Sequence, residues 1–295
     1  MRTLRTVDEV RAVLRPARRD GQSVGLIPTM GAFHDGHLSL MLRARSECDV
    51  VVVSLFVNPT QFNESVDLAA YPRDEASDAA RAASVGVDYL FAPDVEEIYP
   101  DGFSTTVSVG RLTEVLEGSA RGRAHFDAVT TVVTKLLNIV GPDVAYFGQK
   151  DAQQAVVIGQ LARDLNIPVR IEVCPTVREP DGLAMSSRNV RLSSEERGRA
   201  LALRRALVAA SNAVDAGERD ARAVIGRAAD ELRSAEVQPD YFELVSTESL
   251  TPVRAIDDDV LAVVAARVGS TRLIDNQIIR VDRSRNGRPA STGRP

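Results

Sequence analysis

Apolar positions along the first 175 or so residues alternate between short unbroken runs and helical spacing. Val7, Val10, Val13 and Leu14 recur at helical spacing behind Thr6 and Glu9, a pair suited to a capping box. Val24–Ile27 reads as a short buried strand, and Leu38, Met41 and Leu42 mark a helix over 37–47. The apolar run Val50–Val57 suits a central parallel strand, and Asn58-Pro59-Thr60 ends it. An alanine-rich helix is expected over 74–85, stopped by Gly86, then a strand over Val87–Phe91 and another over 104–109. A strong helix over 126–140 carries Val129, Val132, Val133, Leu136, Leu137 and Val140 on one side. A strand at Val144–Phe147, a helix at 151–165 and a strand at 169–174 complete the series. Strands and helices alternating at these lengths predict an α/β fold with a doubly wound parallel sheet.

After about residue 178 the rhythm changes. Ser193 and Glu196 cap a long helix over 194–216, and a second spans 220–235. Strand-like runs then follow one another at 240–246, 259–267 and 271–281. Helices followed by consecutive strands predict a smaller α+β C-terminal domain. The expected organisation is a first domain over 1–177, a second over 178–282 acting as a lid, and a disordered Arg-, Ser-, Gly- and Pro-rich tail over 283–295.

Composition narrows the class. The chain has 295 residues and a formal charge of −5, so nothing points to nucleic acid or a membrane surface. The N-terminus lacks an apolar signal core, and two isolated cysteines, Cys48 and Cys174, fit packing residues in a reducing cytoplasm. Of 36 basic residues only Lys135 and Lys150 are lysine. A lysine kept in so arginine-rich a chain can mark a place where a compact ammonium is wanted, although chance alone could leave one or two. Lys135 lies opposite the apolar face of its helix and reads as a solvated charge. Lys150 lies in a motif.

Pro28-Thr-Met-Gly-Ala-Phe-His-Asp-Gly-His37 is the most informative segment, holding two of the three histidines where a strand gives way to a helix. Helix N-termini present unpaired N–H groups and a favourable dipole end to phosphates. Gly31 and Gly36 allow close backbone approach, and His34 and His37 can donate to oxygens that gain charge in nucleotidyl transfer. Metal binding by the pair would need further ligands, and only His125 and the distant cysteines are on offer.

Three other segments carry chemistry. Phe56–Phe62 presents Asn58 and Gln61, amides suited to hydroxyl and carboxylate recognition, although Asn-Pro also makes an ordinary turn. Phe147-Gly-Gln-Lys-Asp-Ala-Gln-Gln154 ends a strand and opens a helix. Gly148 permits approach, Lys150 reaches phosphates, and Gln154 follows one turn later; a plain N-cap at Asp151 is the bland alternative. Met185-Ser-Ser-Arg-Asn189 gathers two hydroxyls and a guanidinium, suited to clamping a triphosphate.

Together with Tyr71-Pro-Arg73, Arg178–Asn189 and Thr271–Asn276, these segments resemble the pantothenate synthetase (pantoate–β-alanine ligase) family. That family belongs to the His-x-Gly-His nucleotidyltransferases, which are related to class I aminoacyl-tRNA synthetases. The resemblance covers about residues 1–282 and implies a Rossmann-like first domain. It implies an AMP-forming ligase whose substrates are pantoate, β-alanine and ATP, with Mg2+ on the phosphates. It also implies an enzyme-bound pantoyl adenylate and a homodimer. Met30, Gly31, His34 and His37 would contact ATP, as would Gly148, Gln149, Lys150 and Asp151. Val177, Met185, Ser186, Ser187 and Arg188 would complete the ATP site. Gln61 and Gln154 would hold pantoate, with Gln61 also near β-alanine. The catalytic set would be His34, His37, Lys150 and Arg188. The family pattern labels His37 a proton donor, whereas the residues themselves favour stabilisation of phosphate charge by both histidines. Phe33, Asp35 and Gln149 depart from commoner residues at their positions. The rival readings are another His-x-Gly-His nucleotidyltransferase, which amides at 61 and 154 disfavour, and a nucleotide-binding regulator, which the complete catalytic set disfavours.

Overall fold

The computed structural model describes residues 1–62, 68, 69 and 71–281. The expected tail at 283–295 lies outside them. The chain divides into two compact units: Met1–Arg178 with Met185–Ser187, and Glu179–Ala184 with the chain from Arg188 onward.

In the first unit, β1 (Arg2–Leu4), α1 (Val7–Arg19), β2 (Val24–Thr29) and α2 (Asp35–Glu47) lead into β3 (Val50–Leu55). Then come α3 (Glu75–Ser84), β4 (Tyr89–Phe91), α4 (Val95–Ile98), α5 (Glu117–Arg121) and α6 (Arg123–Val140). β5 (Val144–Gly148), α7 (Ala152–Asp164) and β6 (Arg170–Cys174) close the unit. The strands form one parallel sheet in the order β1-β4-β3-β2-β5-β6, the α/β architecture that the apolar runs predict.

Strand residues alternate between two cores. Val24, Leu26, Val50, Val52, Ala145 and Phe147 pack with residues of α1, α6 and α7. Ile27, Val51, Val53, Val144 and Tyr146 pack with residues of α2 and α3. Burial on both faces explains why the strands read as apolar runs rather than as alternating patterns. From β2 the chain moves outward to β3 and β4, then returns to lay β5 against the other edge of β2. The two halves of the sheet therefore diverge between β2 and β5, and ligands of such sheets bind outside the carboxyl ends of the strands there.

The second unit contains α8 (Ser194–Asp215), α9 (Ala221–Ser234), β7 (Pro239–Ser246), β8 (Val260–Val268) and β9 (Thr271–Ile279). Its sheet is antiparallel in the order β7-β8-β9 and shares one apolar core with both helices. Ser193 and Glu196 form the capping box expected at the start of α8.

Some expectations need correction. Residues 104–109 form no strand. At Val107 helix side chains take up the backbone instead: Val107 N donates to Thr131 Oγ1 at 2.9 Å, and Thr130 Oγ1 donates to Val107 O at 2.5 Å. Lys135 is not a plain solvated charge, because its Nζ lies 4.6 Å from the Phe103 ring centroid and 5.9 Å from that of Tyr99. β1 escapes a reading of the pattern, being three residues long with only Leu4 buried.

Leu26 is fully buried in the centre of the sheet. Leu26→Ala should cost about 2–5 kcal/mol, read as a lower denaturation midpoint in urea at unchanged slope. A midpoint equal to wild type would show that this face of β2 is not the packed core.

Candidate active site

The first turn of α2 is held by its own histidines. His34 is the N-cap, so the helix starts two residues earlier than the periodicity from Leu38 suggests. Its Nδ1 accepts from Gly36 N at 3.1 Å, while His37 Nδ1 accepts from His34 N at 3.3 Å. The rings lie against each other with centroids 4.2 Å apart and their planes tilted by 42°. With its Nδ1 accepting, a neutral His37 imidazole carries its proton on Nε2. The intervening glycine has a steric cause: a Cβ at Gly36 would lie 2.8 Å from His34 Cε1 and 2.9 Å from its Nδ1.

Burial drives the His37 pKa down to about 3, and the charges of His34 and Lys150 push it the same way, against Asp151. Near neutral pH His37 is thus an uncharged Nε2–H donor. A neutral donor stabilises charge on phosphate oxygens without transferring its proton, which favours the electrostatic role over that of proton donor. The buried Phe33 ring packs 5.5 Å from the His37 ring, centroid to centroid, and contributes to this desolvation.

The other segments approach from neighbouring elements. Gly148 ends β5, and Gln149–Asp151 form a 3₁₀ turn before α7. A Cβ at Gly148 would meet nothing within 4 Å, so this end of β5 leaves room for a ligand. Asp151 occupies the N-cap position of α7, but its side chain makes no capping hydrogen bond. Met185 N donates to Val177 O at 3.0 Å, and Met185 Cβ would lie 3.9 Å from a Cβ at Gly36. Met30–His37, Lys150, Asp151, Val177 and Met185 therefore come to one end of the sheet. Ser186 and Ser187 follow Met185, and the exposed Arg188 begins the stretch that clusters with the second unit.

Gln61 closes a 3₁₀ turn after β3, and Gln154 lies in the first turn of α7; both are half-buried. Asn58 does not fit ligand recognition. It is buried, its Nδ2 donates to Ala128 O at 3.3 Å, and its Oδ1 accepts from Thr60 N and Thr60 Oγ1. The amide is spent on the turn itself.

Several supporting residues were given no role by the sequence, some of them inside the quoted segments. His125 Nδ1 bonds Gln61 O at 2.9 Å; a carbonyl only accepts, so this nitrogen carries the proton. Gln153, beside Gln154, is buried and bonds Leu112 O, Val115 O and Glu117 N, fixing the 112–117 stretch. Within the second unit, Arg197 ties Glu179 to Asp181, and Asn189 donates to Glu179 Oε1 at 2.6 Å and to Ala184 O at 3.0 Å. Their spacing follows no periodicity, since partners far apart in sequence satisfy each group.

Sheet, switch point and histidine-capped helix define a Rossmann-like nucleotide-binding protein of the His-x-Gly-His type. Residues 2–278 match the family model of pantoate-beta-alanine ligase. The chain is 52% identical to a pantothenate synthetase of Moorella thermoacetica over 284 residues, covering 96% of this chain and 100% of that one. A crystal structure of pantothenate synthetase from Thermus thermophilus superposes with a TM-score of 0.89 at 45% identity, covering 95% of this chain and 100% of the other. A pantoate-beta-alanine ligase from Francisella tularensis, solved with β,γ-ATP and β-alanine, superposes at 0.77 with 35% identity, covering 94% and 97%. The chain belongs to the pantoate–β-alanine ligase family.

The depressed His37 pKa has a consequence for stability. The unfolded chain takes up a proton there near pH 6.5, whereas the folded protein does so only near pH 3. Stability from this site is complete above pH 6.5 and is lost as pH falls towards 3, because the unfolded state then binds more protons. His37→Gln should therefore lose less melting temperature than wild type between about pH 7.5 and about pH 5. Parallel declines would refute a histidine held neutral.

Proposed function

We propose that the ligation takes place on the histidine-capped end of α2, in two chemical steps. Pantoate's carboxylate attacks the α-phosphorus of ATP and releases pyrophosphate. The amine of β-alanine then attacks the carbonyl of the pantoyl adenylate, forming pantothenate and expelling AMP. A free carboxylate is a poor acyl donor, and adenylation gives it a good leaving group. The observation that carries this assignment is the pair of inward-locked Nδ1 atoms. It commits the Nδ1 of both imidazoles to the backbone of a helix N-terminus, with Lys150 close enough for its charge to act on His37.

The roles divide by charge. His34, His37, Lys150 and Arg188 would meet the phosphates, where two anionic substrates need their repulsion offset. Met30, Gly31, Gly148, Gln149, Asp151, Val177 and Met185–Ser187 would enclose the nucleotide. Gln61 and Gln154 would receive pantoate, with β-alanine near Gln61. Neutral amides suit a hydroxy acid about to lose its negative charge. Mg2+ would enter on the triphosphate. Among the described residues no group of three or more His, Cys, Asp or Glu side chains is placed to hold a metal ion of its own. A homodimer and a cytoplasmic location belong to the same proposal, the latter supported by two free, buried cysteines.

His34→Ala and His37→Ala should each slow pantoyl adenylate formation about 10²–10³-fold, the usual effect of losing one transition-state donor. Pyrophosphate release in a single turnover is the measurement. Near-wild-type rates in folded variants would remove the histidines from the chemistry.

Lys150→Ala should be severely impaired in the same step, and Lys150→Arg should also be poor, because a planar fork does not replace a point charge among crowded phosphates. Wild-type pyrophosphate release by Lys150→Arg would show that charge alone suffices.

A further inference from the structure

The loop between β2 and α2 has an unusual backbone. Gly31 has φ 88 and Ala32 has φ 53, so consecutive residues sit in the left-handed region. Glycine adopts it freely, but alanine requires something to hold it there. The holding group is one carboxylate on a different element. Ala32 N donates to Asp78 Oδ2 at 2.9 Å, and Phe33 N donates to Asp78 Oδ1 at 2.7 Å. Asp78 belongs to α3 and is only 4% exposed, so its charge is spent on these N–H groups rather than on water. The fit is close: a Cβ at Gly31 would lie 2.9 Å from Asp78 Oδ2.

We propose that Asp78 is a positioning residue for ATP. It clamps Gly31–Phe33 so that the segment from Met30 to His37 meets the nucleotide in one geometry, and it touches no substrate itself. The proposal rests on the assignment of that segment to ATP. Two other roles make different predictions. A carboxylate acting on ATP only through its charge would repel phosphates, so neutralising it would tighten ATP binding. A carboxylate serving only the first turn of α3 would change thermal stability and leave ATP affinity alone.

Asp78→Asn in the full chain separates these roles. It keeps the side-chain shape but turns one acceptor into a donor facing an N–H. We expect KM for ATP to rise about tenfold, the equivalent of one charge-assisted hydrogen bond, with KM for pantoate nearly unchanged. Hydrogen exchange should quicken in the peptide spanning 30–35 more than in peptides of the sheet. An unchanged or lower KM for ATP overturns the proposal, whatever happens to melting temperature. His34→Ala and His37→Ala belong in the same experiment. If they are impaired while Asp78→Asn binds ATP normally, only the clamp is lost; if they too are unimpaired, the assignment of the segment to ATP fails. Should Asp78→Asn not fold, the wild-type protein still decides. The Ala32 and Phe33 amides lie outside any helix or strand, yet should exchange slowly because a buried carboxylate holds them, and fast exchange at both overturns the clamp.

Discussion

The site depends on how the first turn of α2 is closed. A helix N-terminus leaves backbone N–H groups without partners inside the helix, and the cap residue normally satisfies some of them with a short hydroxyl, amide or carboxylate side chain. Here an imidazole does so. His34 Nδ1 takes the Gly36 N–H, and His37 Nδ1 returns to the His34 N–H. That reciprocal closure commits the Nδ1 of each ring to the backbone, and it requires a residue without Cβ at position 36. The His-x-Gly-His spacing is thus a capping motif that fixes the orientation of both rings.

The closure would be of little use elsewhere in the fold. Because β5 returns to the far side of β2, the turn at Gln149–Asp151 opens beside the start of α2. Lys150 then lowers the proton affinity of His37, adding to the effect of burial. A positive charge beside a neutral His37 suits a substrate that brings several negative charges of its own. The glycine ending β5, with open space where a Cβ would point, fits the same demand for close approach. Asp78 and His125 act from further away, each through a backbone group of a segment assigned to substrate. Side chains that shape a loop through its amides or carbonyls can be as consequential as those that touch a ligand.

The sequence by itself determined much. The α/β class was legible because strands covered on both faces read as apolar runs, as Val50–Val53 does. Helix starts at Thr6 and Ser193 were legible because capping is a local interaction between residues three apart. The segments around His34, Lys150 and Met185 could be read as ligand-facing because glycine, cation and hydroxyl at strand–helix junctions have a short-range chemical logic. Only the tertiary structure decided the rest. Residues 104–109 have strand-like composition, but threonines of α6 take up the backbone groups of Val107, and nothing local announces that. Asn58 looked like a recognition amide and is a buried turn residue bonded to Ala128. Lys135 looked solvated and lies over Phe103. Asp78 sits in an alanine-rich helix with no motif around it, and its function as a clamp depends on a loop some 45 residues earlier in the chain. In each case the partner is distant in sequence. Local pattern reports what a segment can form; only the packed chain settles which distant group satisfies each buried donor and acceptor.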